Sequence, residues 1–185
     1  LALEPESPAI RADMVAPLLR AGRTADARAA VDRLSAITPP WSAVHQLASA
    51  VLAAEGRMDD SVEQSLQALR AQGTSVRRVD ELRSAYAAGG LAAMTERRIR
   101  QLTAELEDGP SPPSSYRLAT ELALAHASLK RRDRTLHWLA VAIDLHEDAP
   151  LYMRSSAAFD FVRDAPEFNE LLRRAKLDAV SARRD

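Results

Sequence analysis

Four histidines, at positions 45, 126, 137 and 146, are the first side chains to weigh. Neutral imidazole ligates metals, and its proton moves near neutral pH. None falls in an H-E-x-x-H arrangement and no two lie four apart, so no helix face carries a paired ligand set. His126 stands where leucine or tyrosine stands elsewhere in the chain, and it is expected to pack in a core. His137 and His146 are expected on solvated faces. The carboxylates Glu105, Glu107 and Asp108 cluster, yet they face no partner acid or base and look like a helix end. Gly89-Gly90 would need a preceding strand to cradle a phosphate, and none is predicted. The absence of cysteine removes disulfides, thiolate nucleophiles and cysteine-ligated metals. No catalytic residue, cofactor or metal is therefore expected, and the chain reads as a non-enzyme.

Arginines recur in groups: Arg77-Arg78, Arg97-Arg98 with Arg100, Arg131-Arg132 with Arg134, and Arg173-Arg174. Anion or nucleic-acid contact would call for a basic excess and interleaved aromatics. The chain instead carries 25 basic against 26 acidic residues and is 4% aromatic. The groups are expected on solvated faces beside acids, with no nucleic acid bound. No apolar run approaches the ~20 residues that span a bilayer, and no secretory signal pattern is read. The compartment stays open between cytoplasm and periplasm.

The elements that must carry these side chains follow from composition and period. Thirty-six alanines and 24 leucines against 10 valines and 4 isoleucines favour helix over strand. Gly22, Gly56 and Gly90 are spaced by 34 residues, as are Pro5 and Pro39. Leu18, Leu52 and Tyr86 lie four before the glycines. Ala27, Ser61 and Thr95 lie five after them, and Leu34, Ala68 and Leu102 lie twelve after. Each unit reads as helix, tight turn, helix, with a small residue where the helices cross. No such pair buries its apolar stripe alone, so the pairs must stack. In a fourth, degenerate unit Lys130 replaces the glycine, Thr135 the small residue and Ala142 the later position. Six extra residues enter before it through the Pro-rich loop 107–115.

A 34-residue period with a turn glycine and a closing proline resembles the tetratricopeptide repeat. The predicted fold is all-α: a right-handed α-solenoid of about four helix pairs with a short helical C-terminal cap. The expected helices are 8–20, 24–37, 41–55, 58–71, 75–88, 91–106, 114–129 and 132–146. They group into repeats 8–41, 42–75, 76–106 and 116–147. The opening "LALEP" matches the end of a repeat. Residues 1–7 are thus expected to close a truncated preceding unit of a longer protein.

Residues 148–185 form the expected cap and tail. All three phenylalanines, Phe159, Phe161 and Phe168, fall here. Asp164 is placed to cap a short helix beginning near Pro166, and Phe168, Leu171, Leu172 and Ala175 give it one apolar face. The cap is expected to cover the last repeat, with an aromatic docking patch as the functional alternative.

From about Tyr86 to Leu177 the chain resembles the tetratricopeptide region of certain multidomain bacterial proteins. These are one-component winged-helix regulators of the ToxR/CadC type, some adenylate cyclases and some serine/threonine kinases. The matching residues are Tyr86, Gly89 and Gly90, then Leu122, Ala125, Leu129, Asp133, Leu136, Trp138, Leu139 and Ala142. The ending matches at Phe159, Asp160, Val162, Arg163, Pro166, Phe168, Leu171 and Leu172. Lys130, Ala157 and Ala165 depart from that family's usual residues, and Val162 is an apolar match where the family usually has leucine. The resemblance implies a protein-interaction region of a larger signalling or transcription-regulatory protein.

In such arrays the first helix of each pair lines a concave face. By register that face carries Asp13 and Arg20 among alanines in the first repeat, and Gln46 in the second. It carries Arg77, Asp80, Glu81 and Ser84 in the third, and Arg117, Thr120 and Glu121 in the fourth. Ala12 and Ala16 stand where chaperone-binding members carry a clamp for a peptide C-terminus, so no such clamp is expected. The predicted partner is a protein or peptide in this groove. Self-association and a periplasmic sensor role in a membrane-tethered regulator are the alternatives.

Overall fold

A computed structural model describes residues 8–37, 42–107, 117–149, 153 and 156–177. The expectations for residues 1–7 and for almost all of loop 107–115 lie outside these. The described elements are α1 (Pro8–Arg20), α2 (Thr24–Ile37), α3 (Ser42–Ala54), α4 (Met58–Ala71), α5 (Val76–Glu107), α6 (Leu118–Ser128), α7 (Arg132–Asp144), a 3₁₀ segment Ala157–Val162 and α8 (Pro166–Arg174). There is no strand among the described residues. The all-α class and the helix pairing expected from the 34-residue period both hold. The chain divides into two compact units, Leu1–Asp80 and Glu81–Asp185.

In the first unit α1 packs on α2, α3 on α4, and α3 also on both α1 and α2. The core joins Val15, Ala27, Ala30, Val31 and Val51 with Leu18, Leu19, Leu47 and Ala48. Ala27 is fully buried, which is what a small residue at a close helix crossing requires. Its counterpart Ser61 is also buried. The Ser61 hydroxyl donates to the Ser49 carbonyl at 2.9 Å, and Ser49 Oγ lies 2.8 Å from Ser65 Oγ. A buried hydroxyl is tolerated there because it is bonded. Arg28 of α2 reaches Glu55, just after α3, donating from Nε at 3.0 Å, and so ties one pair to the next. That guanidinium holds the Glu55 carboxyl below the usual carboxylate range.

In the second unit α6 packs on α7, and both the 3₁₀ segment and α8 close over them. Phe159 and Phe168 are buried with ring centroids 6.4 Å apart. They join Ala123, Ala127, Leu139, Ala142, Met153 and Val162 in one core. The segment is thus a cap, and two of the three phenylalanines are not offered for docking. Phe161 is half-buried, with the Lys130 ammonium 4.8 Å from its ring centroid. One detail differs from expectation. The N-cap of α8 is Ala165, with Pro166 in the first turn and no side-chain cap, so Asp164 does not serve.

Six helix ends share one hydrogen-bond pattern. After α1, Gly22 N donates to Leu19 O and Arg23 N to Leu18 O, which is a Schellman motif. The same two bonds recur at Gly56, Gly73, Lys130, His146 and Lys176. The motif requires a left-handed residue. Lys130 at φ 56°, His146 at φ 58° and Lys176 at φ 58° adopt it against their steric preference.

The third turn is different in kind. Gly89 (φ −158°, ψ 24°) and Gly90 (φ 66°, ψ −160°) break α5 into arms 76–88 and 91–107 without a Schellman closure. A Cβ on Gly89 would come within 2.8 Å of the Ala93 Cβ. Gly90 lies in a region that is essentially glycine-only. Both glycines are therefore fixed by local geometry, one by space and the other by dihedral angle.

Candidate interaction surface

The sequence-predicted groove residues separate by environment, and each unit is considered by itself. In the first unit Asp13, Arg20, Gln46, Arg77 and Asp80 are all exposed. Asp13 and Arg20 lie seven apart on α1 and share one stripe of the helix. Asp80 stands 3.6 Å from Arg70. Asp13, Arg20, Gln46 and Arg77 make no side-chain hydrogen bond or ion pair among the described residues. Ala16, Ala50 and Ala53 are exposed as well. These residues are thus exposed alanines and a few polar groups without a described partner.

The second unit uses its predicted residues internally. Glu81 pairs with Arg97 at 2.7 Å and accepts from Gln101 Nε2 at 3.1 Å. Glu121 accepts from Arg98 at 2.6 Å. Arg117 pairs with Asp148 at 2.9 Å. Thr120 is only 1% exposed, so its place on an open groove face is corrected: the side chain lies inside the unit. Its hydroxyl donates to Glu147 Oε2 at 2.8 Å. Of the five, only Ser84 is exposed without a described partner.

Sequence reading passed over Glu147. It is 9% exposed and accepts the amide protons of Ala119 and Thr120 at 3.2 and 2.7 Å. The first amides of a helix lack intrahelical acceptors. A carboxylate from beyond α7 supplies them, and its charge suits the positive end of the helix dipole. No local motif marks this contact, because donor and acceptor lie 27 and 28 residues apart.

His126 is buried, as expected, at the position of Leu18 and Leu52. Its Nδ1 has no hydrogen-bond partner among the described residues. Burial, followed by the charges of Arg131 and Arg134, pushes its pKa below the ordinary 6.5. No group of three or more His, Asp or Glu that could hold a metal occurs among the described residues. No described helix is long and apolar enough to cross a membrane.

Residues 1–51, which include α1, α2 and most of α3, match the tetratricopeptide repeat family. Comparison with curated proteins and with solved structures yields no match. Tetratricopeptide repeats generally mediate protein–protein interaction and are typically non-catalytic.

Proposed function

We propose that this chain is a non-enzymatic module that binds a protein or peptide through exposed residues of α1, α3 and the start of α5 in its first unit. The observation that carries the reading is the contrast between the units. Asp13, Arg20, Gln46 and Arg77 are exposed and uncommitted among the described residues, whereas Glu81, Arg117, Thr120 and Glu121 are bonded within their unit. A surface of small side chains lets a partner backbone come close, and scattered polar groups fix its register. Such a face suits an extended or helical peptide. The match of residues 1–51 to an interaction repeat supports the same reading. The resemblance of residues 86–177 to repeat regions of bacterial regulators, cyclases and kinases supports a place within a larger signalling or transcription-regulatory protein.

The test is a displayed random-peptide library selected against the immobilised chain. Amide chemical-shift mapping of the recovered peptides then follows. Shifts centred on Asp13, Arg20, Gln46 and Arg77 are expected. Shifts confined to the cap, or self-association as the only interaction found, would refute the proposal.

A further inference from the structure

α5 spans 32 residues and is interrupted only at Gly89 and Gly90. Its arms fold back on each other. Glu81 pairs with Arg97 at 2.7 Å and accepts from Gln101 Nε2 at 3.1 Å, all three within the second compact unit. In a straight helix these partners would stand about 24 and 30 Å away along the axis. The two glycines are therefore the apex of a helical hairpin.

This apex differs from the other turns in three ways. It is shorter: two residues separate the arms, whereas Ala21, Gly22 and Arg23 separate α1 from α2. It also lacks a clasp. Arg23 pairs with Asp26, and Arg57 with Asp60, each at 2.7 Å across the start of the following helix. The same register after Gly90 holds Leu91 and Met94, which cannot form that pair. Finally, the apex is open and apolar, because Ala87 to Ala92 are all exposed, Leu91 at 46%. No Ser, Thr, Asp or Asn stands between 87 and 94 to start a new helix, and the alanines, Leu91 and Met94 all favour continuing one. The glycines act in both directions. Gly90 at φ 66° and ψ −160° permits the hairpin, and glycine inside a straight helix weakens it. Two residues thus hold the balance between hairpin and rod, and short hinges of this kind are where chains exchange elements.

We propose that α5 is a hinge for domain exchange: two copies of this chain straighten α5, and each lays its second arm on the first arm of the other. The occupant is a second copy because the arms already complement each other. Glu81 of one protomer meets Arg97 and Gln101 of its partner, so the cross-hairpin bonds are remade. Leu118 and Leu122 pack with Leu102 and travel with the second arm. The two rods, each about 48 Å long, run antiparallel about a two-fold axis at the glycines. Small side chains there let the backbones approach, and Leu91 becomes covered. Exchange uses none of the α1 and α3 residues proposed to bind a partner.

The experiment uses the full chain, refolding from urea and size exclusion with light scattering. Wild-type chain refolded at high protein concentration is expected to contain a dimer that persists on dilution, because its return requires the arms to unpair. Gly89→Ala with Gly90→Ala favours the rod, and it denies the hairpin its positive-φ residue and its space beside Ala93. That variant should be mostly dimeric with unchanged helix content. Charge reversal identifies the arrangement. In Glu81→Arg alone and in Arg97→Glu alone the arms repel, within a hairpin and within a like pair; only an exchanged mixed dimer restores the ion pairs. Native mass spectrometry of the two chains refolded together should show the mixed dimer at least tenfold over either like pair. A wild-type chain that yields no dimer, a double-alanine variant that folds as a monomer, or random pairing in the mixture overturns the proposal. If the double-alanine variant does not fold, the wild-type and mixed-chain results decide.

Discussion

One carboxylate oxygen of Glu147 accepts both the Thr120 amide, at 2.7 Å, and the Thr120 hydroxyl, at 2.8 Å. The contact fixes the start of α6 from the far end of α7, inside a buried environment. Glu147→Gln keeps the shape and removes the charge, and its amide would turn a donor toward donors. A bond from a charged group contributes roughly 1.5–3 kcal/mol. Urea unfolding of Glu147→Gln is expected to show a loss of about 2 kcal/mol, and of Thr120→Val about half that. An unchanged midpoint for Glu147→Gln would mean that the cap contributes nothing.

Lys130 and His146 occupy left-handed positions that glycine fills after α1, α3 and α4. Such a backbone costs a residue with a Cβ roughly 1–2 kcal/mol. Glycine relieves this but widens the unfolded ensemble by about 0.4–1 kcal/mol. His146→Gly should therefore stabilise by roughly 0.5–1 kcal/mol on these terms. Lys130→Gly should gain less, because it also removes the cation from the Phe161 ring, a contact of about 0.5–1 kcal/mol at exposed sites. Thermal melts of the two variants side by side check the order.

Ser61 and Thr135 hold the same repeat position and differ in what their hydroxyls meet. Ser61 is bonded to Ser49. Ala123 stands at the Ser49 register, and the fully buried Thr135 Oγ1 has no partner among the described residues. Ser61→Ala is expected to cost about 1 kcal/mol, and Thr135→Val to be neutral or stabilising by about 1 kcal/mol. Opposite signs in chemical denaturation support the account. A destabilised Thr135→Val would show that its hydroxyl is satisfied after all.

How much could be read from sequence is visible in these same residues. Turn residues and crossing positions recur every 34 residues because each pair solves one packing problem, so helix limits such as 8–20, 24–37 and 58–71 were legible. The kink at Gly89-Gly90 was not. A glycine at the expected spacing says only that φ > 0 is available there, and Gly90 uses a different well from Gly22. The face assigned to Thr120, Glu121 and Glu81 depended on partners 16 to 27 residues distant: Gln101, Arg97, Arg98 and Glu147. Helical register places a side chain on a face, but tertiary contact decides whether it is open.

His126 gives the second unit a pH dependence of known sign. Burial holds its folded pKa below 6.5, so the unfolded chain is the better proton acceptor in that interval. The stabilisation is complete above pH 6.5 and is lost as pH falls toward and through the folded value. His126→Leu restores the residue found at positions 18 and 52 and should flatten stability between about pH 7 and 5. The loss below the carboxylate range, to which Glu55 and Glu167 contribute with their lowered pKa values, should remain. Melting temperature against pH for the two proteins decides it, and parallel curves would contradict the assignment.

The central claim is that the first unit offers Asp13, Arg20, Gln46 and Arg77 to a partner while the second spends Glu81, Arg117, Thr120 and Glu121 on itself. The most direct measurement is calorimetric affinity for a selected peptide, taken with the melting temperature, for Arg20→Glu with Arg77→Glu and for Arg117→Glu with Glu121→Arg. The account predicts that the first pair weakens binding at least tenfold with an unchanged melting temperature. The second pair should lower the melting temperature by a few degrees, breaking ion pairs that contribute about 1 kcal/mol or less each, with affinity intact. Affinity lost only in the second pair, with the first pair binding normally, would contradict it.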